Sequence, residues 1–203
     1  VADIVQLDAT IDKFLDYARP DFVSLTVVNL HAVVSSCVYA VQNHRELQIS
    51  MSIPDDIYVM ADEIELARVI SNLLENARRY GKTVDTETTY VDITLKTREN
   101  WVLMRIRDHG PGVPPDQLAR LTQPFFRGDS ARTAAAGAGL GLSIVDRTVQ
   151  RMGGIFTITN ANGGGIAANI QLQRVTDVPT GQDPKHRLQR PQVKRHLPPD
   201  NTI

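Results

Sequence analysis

The sequence has one cysteine, one tryptophan and no excess of charge. Its 203 residues carry 22 Lys plus Arg against 23 Asp plus Glu, so the formal net charge is −1. With Cys37 as the single thiol, neither an internal disulfide nor a cysteine-rich zinc site is available. Binding of nucleic acid or anionic lipid through a bulk basic field is disfavoured, because both need a strong positive potential. Any phosphate chemistry must therefore be local.

A long apolar run is also missing. The densest apolar stretch, residues 23–41, is interrupted by polar residues and falls short of the roughly 18 apolar residues that a membrane span needs. We find no signal peptide, and we expect the chain as given to be soluble. Because it begins with Val, we also expect it to be a fragment of a longer protein, in which a membrane segment could lie upstream. Its hydrophobic content of 42% is typical of a globular protein with one main domain.

The first twenty residues have the pattern of a bundle helix. Their apolar residues recur at spacings of three and four, and Pro20 ends the run. One helix cannot bury such a stripe alone, so we expect a partner helix from outside the sequence or from a second copy. The stripe consists of Ile4, Leu7, Ile11, Phe14 and Ala18.

Residues 21–175 alternate between strand and helix patterns, which predicts an α+β two-layer sandwich: a mixed sheet covered on one face by helices. Asp62 is the expected N-cap of the main helix, and the proline-rich stretch 176–203 is expected to be a disordered tail. The predicted strands are 22–28, 47–53, 57–60, 90–97, 101–107, 154–160 and 165–174. The predicted helices are 30–43, 62–81, 116–122 and 140–152.

Four polar side chains lie on one flank of the helix that follows Asp62, namely Asn72, Asn76, Arg79 and Tyr80. An Asn carboxamide oxygen can ligate Mg²⁺, an arginine can neutralise phosphate, and a tyrosine can cover a base. For this helix alone, a solvated surface is an equally good interpretation.

A second motif follows a predicted strand: Asp108-His109-Gly110-Pro111-Gly112. Two glycines allow the backbone to approach a planar ligand, and an aspartate at a strand end can accept a hydrogen bond from an exocyclic amine. By itself this pattern is more often a plain turn.

A third motif opens the last predicted helix, with Gly137, Gly139 and Gly141 in a G-x-G-x-G register. Amides at a helix N-terminus favour phosphate, although this register fits neither a dinucleotide fingerprint nor a P-loop. The preceding small and polar residues, 127–136, are typical of a lid over a polyphosphate, or of a flexible surface loop.

Taken in order, these motifs resemble the N, G1, F and G2 boxes of the histidine kinase ATP-binding domain, with residues 121–128 as the F box. That family shares the Bergerat fold with gyrase, Hsp90 and MutL. The resemblance covers about residues 24–174 and is strongest for the subgroup of the osmosensing EnvZ and RisS kinases.

The resemblance implies ATP and Mg²⁺ as cofactors and a role for each matching residue. Asn76 would hold Mg²⁺ and, with Arg79 and Arg127, form the catalytic set. Asp108 would accept the adenine amine. The implied nucleotide contacts are Asn72, Asn76, Arg79, Tyr80, Asp108, Gly110, Gly112, Val113, Phe125, Phe126, Arg132, Gly137, Gly139, Leu140, Gly141 and Leu142.

The family's phosphoacceptor box is missing, so the chain is expected to bind ATP without phosphorylating itself. None of the five histidines precedes an acidic residue and proline in the required pattern, and all are read as ordinary polar residues: His31, His44, His109, His186 and His196. The implied partners are the phosphoacceptor hairpin of a homodimeric kinase, whose second helix residues 1–20 resemble, and a response regulator, with no direct nucleic-acid contact. The implied location is the cytoplasmic side of a bacterial inner-membrane sensor.

Two other functions remain open from the sequence. One is a Bergerat ATPase of the gyrase, Hsp90 or MutL type, which activates water with a glutamate one turn before the magnesium asparagine. That position is Asn72 here, and a carboxamide cannot accept the proton. The other is a non-catalytic module in which nucleotide binding controls dimerisation.

Overall fold

The computed structural model describes residues 22–126 and 139–177. Within these ranges the strands are β1 Thr26–Asn29, β2 Leu47–Ser52, β3 Tyr58–Ala61, β4 Thr89–Thr97, β5 Trp101–Asp108, β6 Ile155–Asn160 and β7 Ile166–Val175. The helices are α1 Leu30–Val41, α2 Glu63–Tyr80, α3 Pro115–Leu118 and α4 Gly141–Arg151.

The seven strands form one mixed sheet in the order β1-β3-β7-β5-β4-β2, with β6 paired to β7. β2 and β4 run parallel, and the other described pairs are antiparallel. The long strands β4, β5 and β7 lie in the centre, and β5 pairs with β4 on one side and with β7 on the other, so the end of β5 is held from both sides. The predicted α+β class is confirmed.

The helices cover one face of this sheet. Along β5, Val102, Met104 and Ile106 are buried whereas Trp101 and Leu103 are more than a third exposed, as expected for a strand with one covered face. The predicted apolar stripe of α2 is buried, and each of its Leu, Val and Ile side chains contributes roughly 1.5–3 kcal/mol of burial free energy. The buried α2 residues are Leu66, Val69, Ile70, Leu73, Leu74 and Ala77.

Side-chain caps fix where the two long helices begin. The Asn29 side chain accepts a hydrogen bond from Ala32 N at 2.8 Å. Asp62 Oδ1 accepts from Ile64 N and Glu65 N, both at 3.1 Å. Because a cap satisfies amides that have no partner within the helix, these residues define the first turns of α1 and α2.

The structure differs from the sequence prediction mainly at the edges of elements. The first strand begins at Thr26 rather than Phe22, since only Thr26–Asn29 pair with β3. The short helix ends at Leu118 rather than at residue 122. The expected bundle helix 1–20, the lid 127–136 and the tail from residue 178 lie outside the described residues. No helix in the described ranges combines the length and apolarity of a membrane span.

Candidate functional site

The carboxylate of Asp108 is fixed at the end of β5. Its Oδ1 accepts hydrogen bonds from Gly110 N at 2.9 Å and from Ile166 N at 3.2 Å. Burial raises the pKa of Asp108, and these two main-chain bonds partly oppose that rise. Because both bonds go to Oδ1, the second oxygen is the one available to an incoming donor.

The C-terminal end of α2 lies directly against this carboxylate. A Cβ added at Gly81, the C-cap of α2, would lie 2.6 Å from Asp108 Cβ, closer than real side-chain atoms approach. A Cβ at Gly110 would lie 2.8 Å from Gly81 Cα. The two glycines therefore let the D-x-G-x-G loop, residues 108–112, lie directly against the C-terminal end of α2.

One turn earlier on α2, Asn76 faces the start of α4. A Cβ at Gly141 would lie 3.4 Å from Asn76 Nδ2 and 3.5 Å from its Oδ1. Asn76 Nδ2 is buried and has no hydrogen-bond partner among the described residues. A buried amide left in that state costs roughly 1–3 kcal/mol, so the arrangement fits a polar ligand between α2 and α4.

Glu75, the neighbour of Asn76, is bound to two arginines. Its carboxylate accepts from Arg78 Nε at 2.8 Å and Arg78 Nη2 at 2.9 Å, and also from Arg79 Nε. The hydrogen bonds from Arg78 are the main reason that the pKa of Glu75 falls to about 2. A carboxylate with that pKa stays ionised and is a weak base. Arg79, expected at the phosphates, is held by Glu75 in this structure.

The turn between β6 and β7 packs on the D-x-G-x-G loop. Arg107 Nη2 donates to the carbonyl oxygens of Asn162 at 2.9 Å and Gly164 at 3.2 Å. Gly165 has φ +83°, and a Cβ there would lie 1.9 Å from the main-chain oxygen of Asp108. From the sequence, residues 162–164 are only part of the connection between the predicted strands 154–160 and 165–174. Three consecutive glycines, Gly163–Gly165, are the sequence feature that could have predicted the close approach of this turn to another main-chain segment.

The second pair of sequence motifs also meets in space. Phe125 N donates to Gly139 O at 3.0 Å, which brings together described residues on either side of the predicted lid. Phe126 lies under the Arg120 guanidinium, 4.3 Å from the ring centroid. Three predicted site residues, Arg127, Arg132 and Gly137, lie outside the described residues.

The remaining predicted contacts divide into cleft and core. Asn72 and Tyr80 are half-buried on α2. Leu140 is 1% exposed, and Leu142 packs against the hydrophobic core. Both leucines therefore fix the start of α4 from the core side, while Gly141 between them faces Asn76.

The D-x-G-x-G loop, the C-terminal half of α2 and the start of α4 border one region, called the cleft below, whose two ends differ chemically. At one end the Asp108 carboxylate can accept a hydrogen bond from an amine. At the other, the Asn76 carboxamide and the first amides of α4 suit an anionic group with its cation. The described residues contain no cluster of three His, Cys, Asp or Glu side chains that could hold a metal ion. A metal bound here would take further ligands from the substrate, as Mg²⁺ does with phosphates.

Comparison with known proteins gives a consistent result. The family model of histidine kinase-, DNA gyrase B- and HSP90-like ATPases matches residues 61–176. The signal transduction histidine-protein kinase BaeS of Escherichia coli is 32% identical over 135 residues, which make up 66% of this chain and 28% of BaeS. The chain thus spans less than a third of that relative's length.

Two solved structures show the same likeness. Full-length ShkA in complex with AMPPNP superposes with a TM-score of 0.69 at 26% identity, over 85% of this chain and 37% of ShkA. The histidine kinase domain of the E. coli osmosensor EnvZ superposes with a TM-score of 0.55 at 31% identity, over 76% of this chain and 92% of that domain.

Proposed function

The chain belongs to the family of histidine kinase-, DNA gyrase B- and HSP90-like ATPases, and we infer that it is the ATP-binding domain of a sensor histidine kinase. We propose that it transfers the γ-phosphoryl group of ATP to a histidine on a dimerisation hairpin. The observation that carries this proposal is the cleft between Asp108 and Asn76. An amine acceptor lies against the C-terminal end of α2, and an unsatisfied amide lies about one turn earlier on the same helix.

Adenine recognition is assigned to Asp108. Its Oδ1 is occupied by Gly110 and Ile166, so Oδ2 accepts from the exocyclic amine of the base. The half-buried Tyr80, at the end of α2, is assigned to the base or ribose. A carboxylate acceptor favours adenine over guanine, which presents a carbonyl oxygen at the same position.

The phosphates are assigned to the other end of the cleft. The Asn76 carboxamide would hold Mg²⁺, and the first amides of α4 would hold phosphate oxygens beside Gly141. Bound Mg²⁺ neutralises charge on the phosphate oxygens. In the transfer, an imidazole nitrogen forms a bond to the γ-phosphorus while the bond to the bridging oxygen breaks, and ADP leaves with that electron pair.

Direct hydrolysis of ATP is expected to be slow. In the gyrase-type reaction a glutamate one turn before the magnesium asparagine takes a proton from water, and this position is Asn72. Glu75 does not substitute for it, because it is held by Arg78 and Arg79 and its pKa lies near 2. The residues therefore favour phosphoryl transfer to a protein histidine over transfer to water.

Partners and location follow as part of the same proposal. The acceptor hairpin would come from the same homodimeric kinase, and a response regulator would receive the phosphoryl group from it. Asn76, Arg79 and Arg127 are the proposed catalytic residues. The full protein is proposed to be an inner-membrane sensor with this domain on the cytoplasmic side.

Two measurements test the proposal. A fluorescent ATP analogue is titrated into the chain with and without Mg²⁺, and saturable binding that strengthens with Mg²⁺ is expected. The chain is then mixed with its separately purified hairpin and γ-labelled ATP, and phosphohistidine on the hairpin is expected. Binding without any histidine phosphate would instead support the nucleotide-controlled dimerisation module, and no binding at millimolar nucleotide would reject both.

A further inference from the structure

The D-x-G-x-G loop is held in place by one side chain outside the sequence motifs. Asn160, the last residue of β6, uses both ends of its carboxamide on Val113. Val113 N donates to Asn160 Oδ1 at 3.1 Å, and Asn160 Nδ2 donates to Val113 O at 2.7 Å. A side chain that satisfies both main-chain groups of one loop residue acts as a short β-bridge, and it fixes the loop in orientation as well as in position.

The neighbouring glycine adapts the loop to this contact. Gly112 has φ +72°, and a Cβ at that position would lie 2.8 Å from Asn160 Oδ1. Any other residue at 112 would both strain the backbone and displace the carboxamide. Gly112 therefore leaves room for Asn160 as well as for a ligand.

The same hairpin also reaches Asp108. Ile166, the first residue of β7, donates its main-chain N–H to Asp108 Oδ1 at 3.2 Å. Asn160 and Ile166 are paired across the β6–β7 turn, so one rigid hairpin end holds both Val113 and the Asp108 carboxylate. The distance from the carboxylate to the loop backbone is set by that hairpin end.

We propose that Asn160 is a positioning residue for adenine: it holds the D-x-G-x-G loop so that the base meets the loop backbone and Asp108 Oδ2 together. This rests on the proposed function. The contacts of Asn160 are to the main chain of Val113, so in this proposal it acts through the loop and is not a catalytic residue.

The central test compares Asn160→Ala with Asn162→Ala. Asn162 is exposed in the same turn and contributes its main-chain oxygen to Arg107, so its truncation is a matched control. We expect Asn160→Ala to weaken ATP and adenosine binding by the same factor, about tenfold for the loss of two hydrogen bonds. Asn162→Ala is expected to bind both as the unmodified chain does.

The ATP-to-GTP selectivity separates positioning from general destabilisation. Loss of loop position removes adenine contacts and leaves phosphate contacts, so the selectivity of Asn160→Ala should fall by most of its loss in ATP affinity. Partial unfolding would lower both affinities equally and leave the ratio unchanged, which would overturn the proposal.

A second variant keeps the proposal testable where alanine alone is ambiguous. Asn160→Asp keeps the acceptor for Val113 N but places a charged oxygen against Val113 O, so its ATP affinity should fall at least as far as that of Asn160→Ala. Unchanged affinity in Asn160→Asp would contradict the proposal. Loss of cooperative melting in both variants would also contradict it, since Asn160 would then stabilise the fold. If the unmodified chain bound no ATP, the proposed function itself would fail.

Discussion

The two ends of the cleft are prepared to different degrees. Around Asp108, the carboxylate, the loop and the β6–β7 turn are joined by hydrogen bonds from Gly110, Ile166, Asn160 and Arg107. Around Asn76, the buried Nδ2 has no hydrogen-bond partner among the described residues, and Gly141 beside it presents no side chain. The Asp108 end already has its hydrogen bonds without a ligand, whereas the Asn76 end keeps a donor that has none among the described residues.

This difference assigns different tasks to the two ends. A preformed end loses little ordering free energy on binding and suits recognition of a rigid base. Under the proposed function, an end with an unsatisfied donor gains its hydrogen bond only when the anion is present, so its contribution would be made at the reacting phosphates. A backbone clash at the base end should therefore lower stability, side-chain substitutions there should change nucleotide affinity and selectivity, and substitutions at the phosphate end should change transfer.

The largest expected effect contrasts two glycines. Gly165→Ala places a Cβ against the Asp108 main chain at positive φ, and should lower the free energy of unfolding by about 3 kcal/mol or more. Gly141→Ala meets Asn76 only at ordinary contact distance, and should leave the free energy of unfolding within about 1 kcal/mol of the original while weakening ATP binding. Urea unfolding of both variants checks this. Equal stabilities would remove the contrast between the two ends.

The second prediction concerns transfer. Asn76→Ala should reduce Mg²⁺-dependent phosphoryl transfer to the hairpin by about 100-fold, the usual scale for losing one preorganised polar group. Adenosine affinity should not change, because the base end is intact. Since the substitution removes a buried unsatisfied amide, the chain without ligand should be no less stable. A transfer rate close to the original, measured with labelled ATP, would contradict the assignment of Asn76.

The third prediction concerns the base. Asp108→Asn keeps an acceptor for Gly110 and Ile166 but turns an NH₂ group toward the adenine amine, so ATP affinity should fall about 30-fold, or ~2 kcal/mol. Calorimetric titration measures it, and an unchanged affinity would reject the pocket.

Asp108→Asn should lower ATP affinity but should not lower the free energy of unfolding of the ligand-free chain. The pKa of Asp108 is raised by burial, so its ionised form disfavours the folded state, and stability falls as pH rises from 3.8 through the folded pKa. The asparagine removes that penalty. Near neutral pH the ligand-free variant should therefore be at least as stable as the original chain, which denaturant unfolding can verify.

The sequence predicted the parts that depend on local pattern. Helix α2, its Asp62 cap and its buried stripe follow from a 3.6-residue period and one capping side chain. The central strands β4, β5 and β7 were predicted to within about one residue from their two-residue alternation and the turn residues beside them. The position of Asp108 at a strand end was likewise visible, because the glycines that follow it interrupt the alternation.

The contacts between these parts were not predictable from pattern. Periodicity tells which way a side chain points relative to its own element, but not which distant loop it meets. The approach of Gly81 to Asp108, the bridge from Asn160 to Val113 and the pairing of Glu75 with two arginines are all such contacts. The roles assigned to individual residues in binding ATP remain predictions.

The smallest expected effect separates Glu75 from the chemistry of the cleft. Its pKa is lowered from 4.5 to about 2, so its ion pairs stabilise the folded state fully above pH 4.5 and progressively less as pH falls toward 2. A shift of that size corresponds to about 3 kcal/mol, but the side chain is about a third exposed, and solvent screening reduces the expected contribution to about 1 kcal/mol. Glu75→Gln should therefore lose about 1 kcal/mol at pH 7, with the difference shrinking between pH 4.5 and 2. Glu99→Gln, in the exposed β4–β5 turn, is the control and should show no such trend.

ATP hydrolysis gives a second comparison of the same two variants. Because Glu75 is not expected to act as a base, Glu75→Gln should leave ATP hydrolysis at the same low level. A fall in hydrolysis in Glu75→Gln but not in Glu99→Gln would identify the Glu75 carboxylate as the group that activates water.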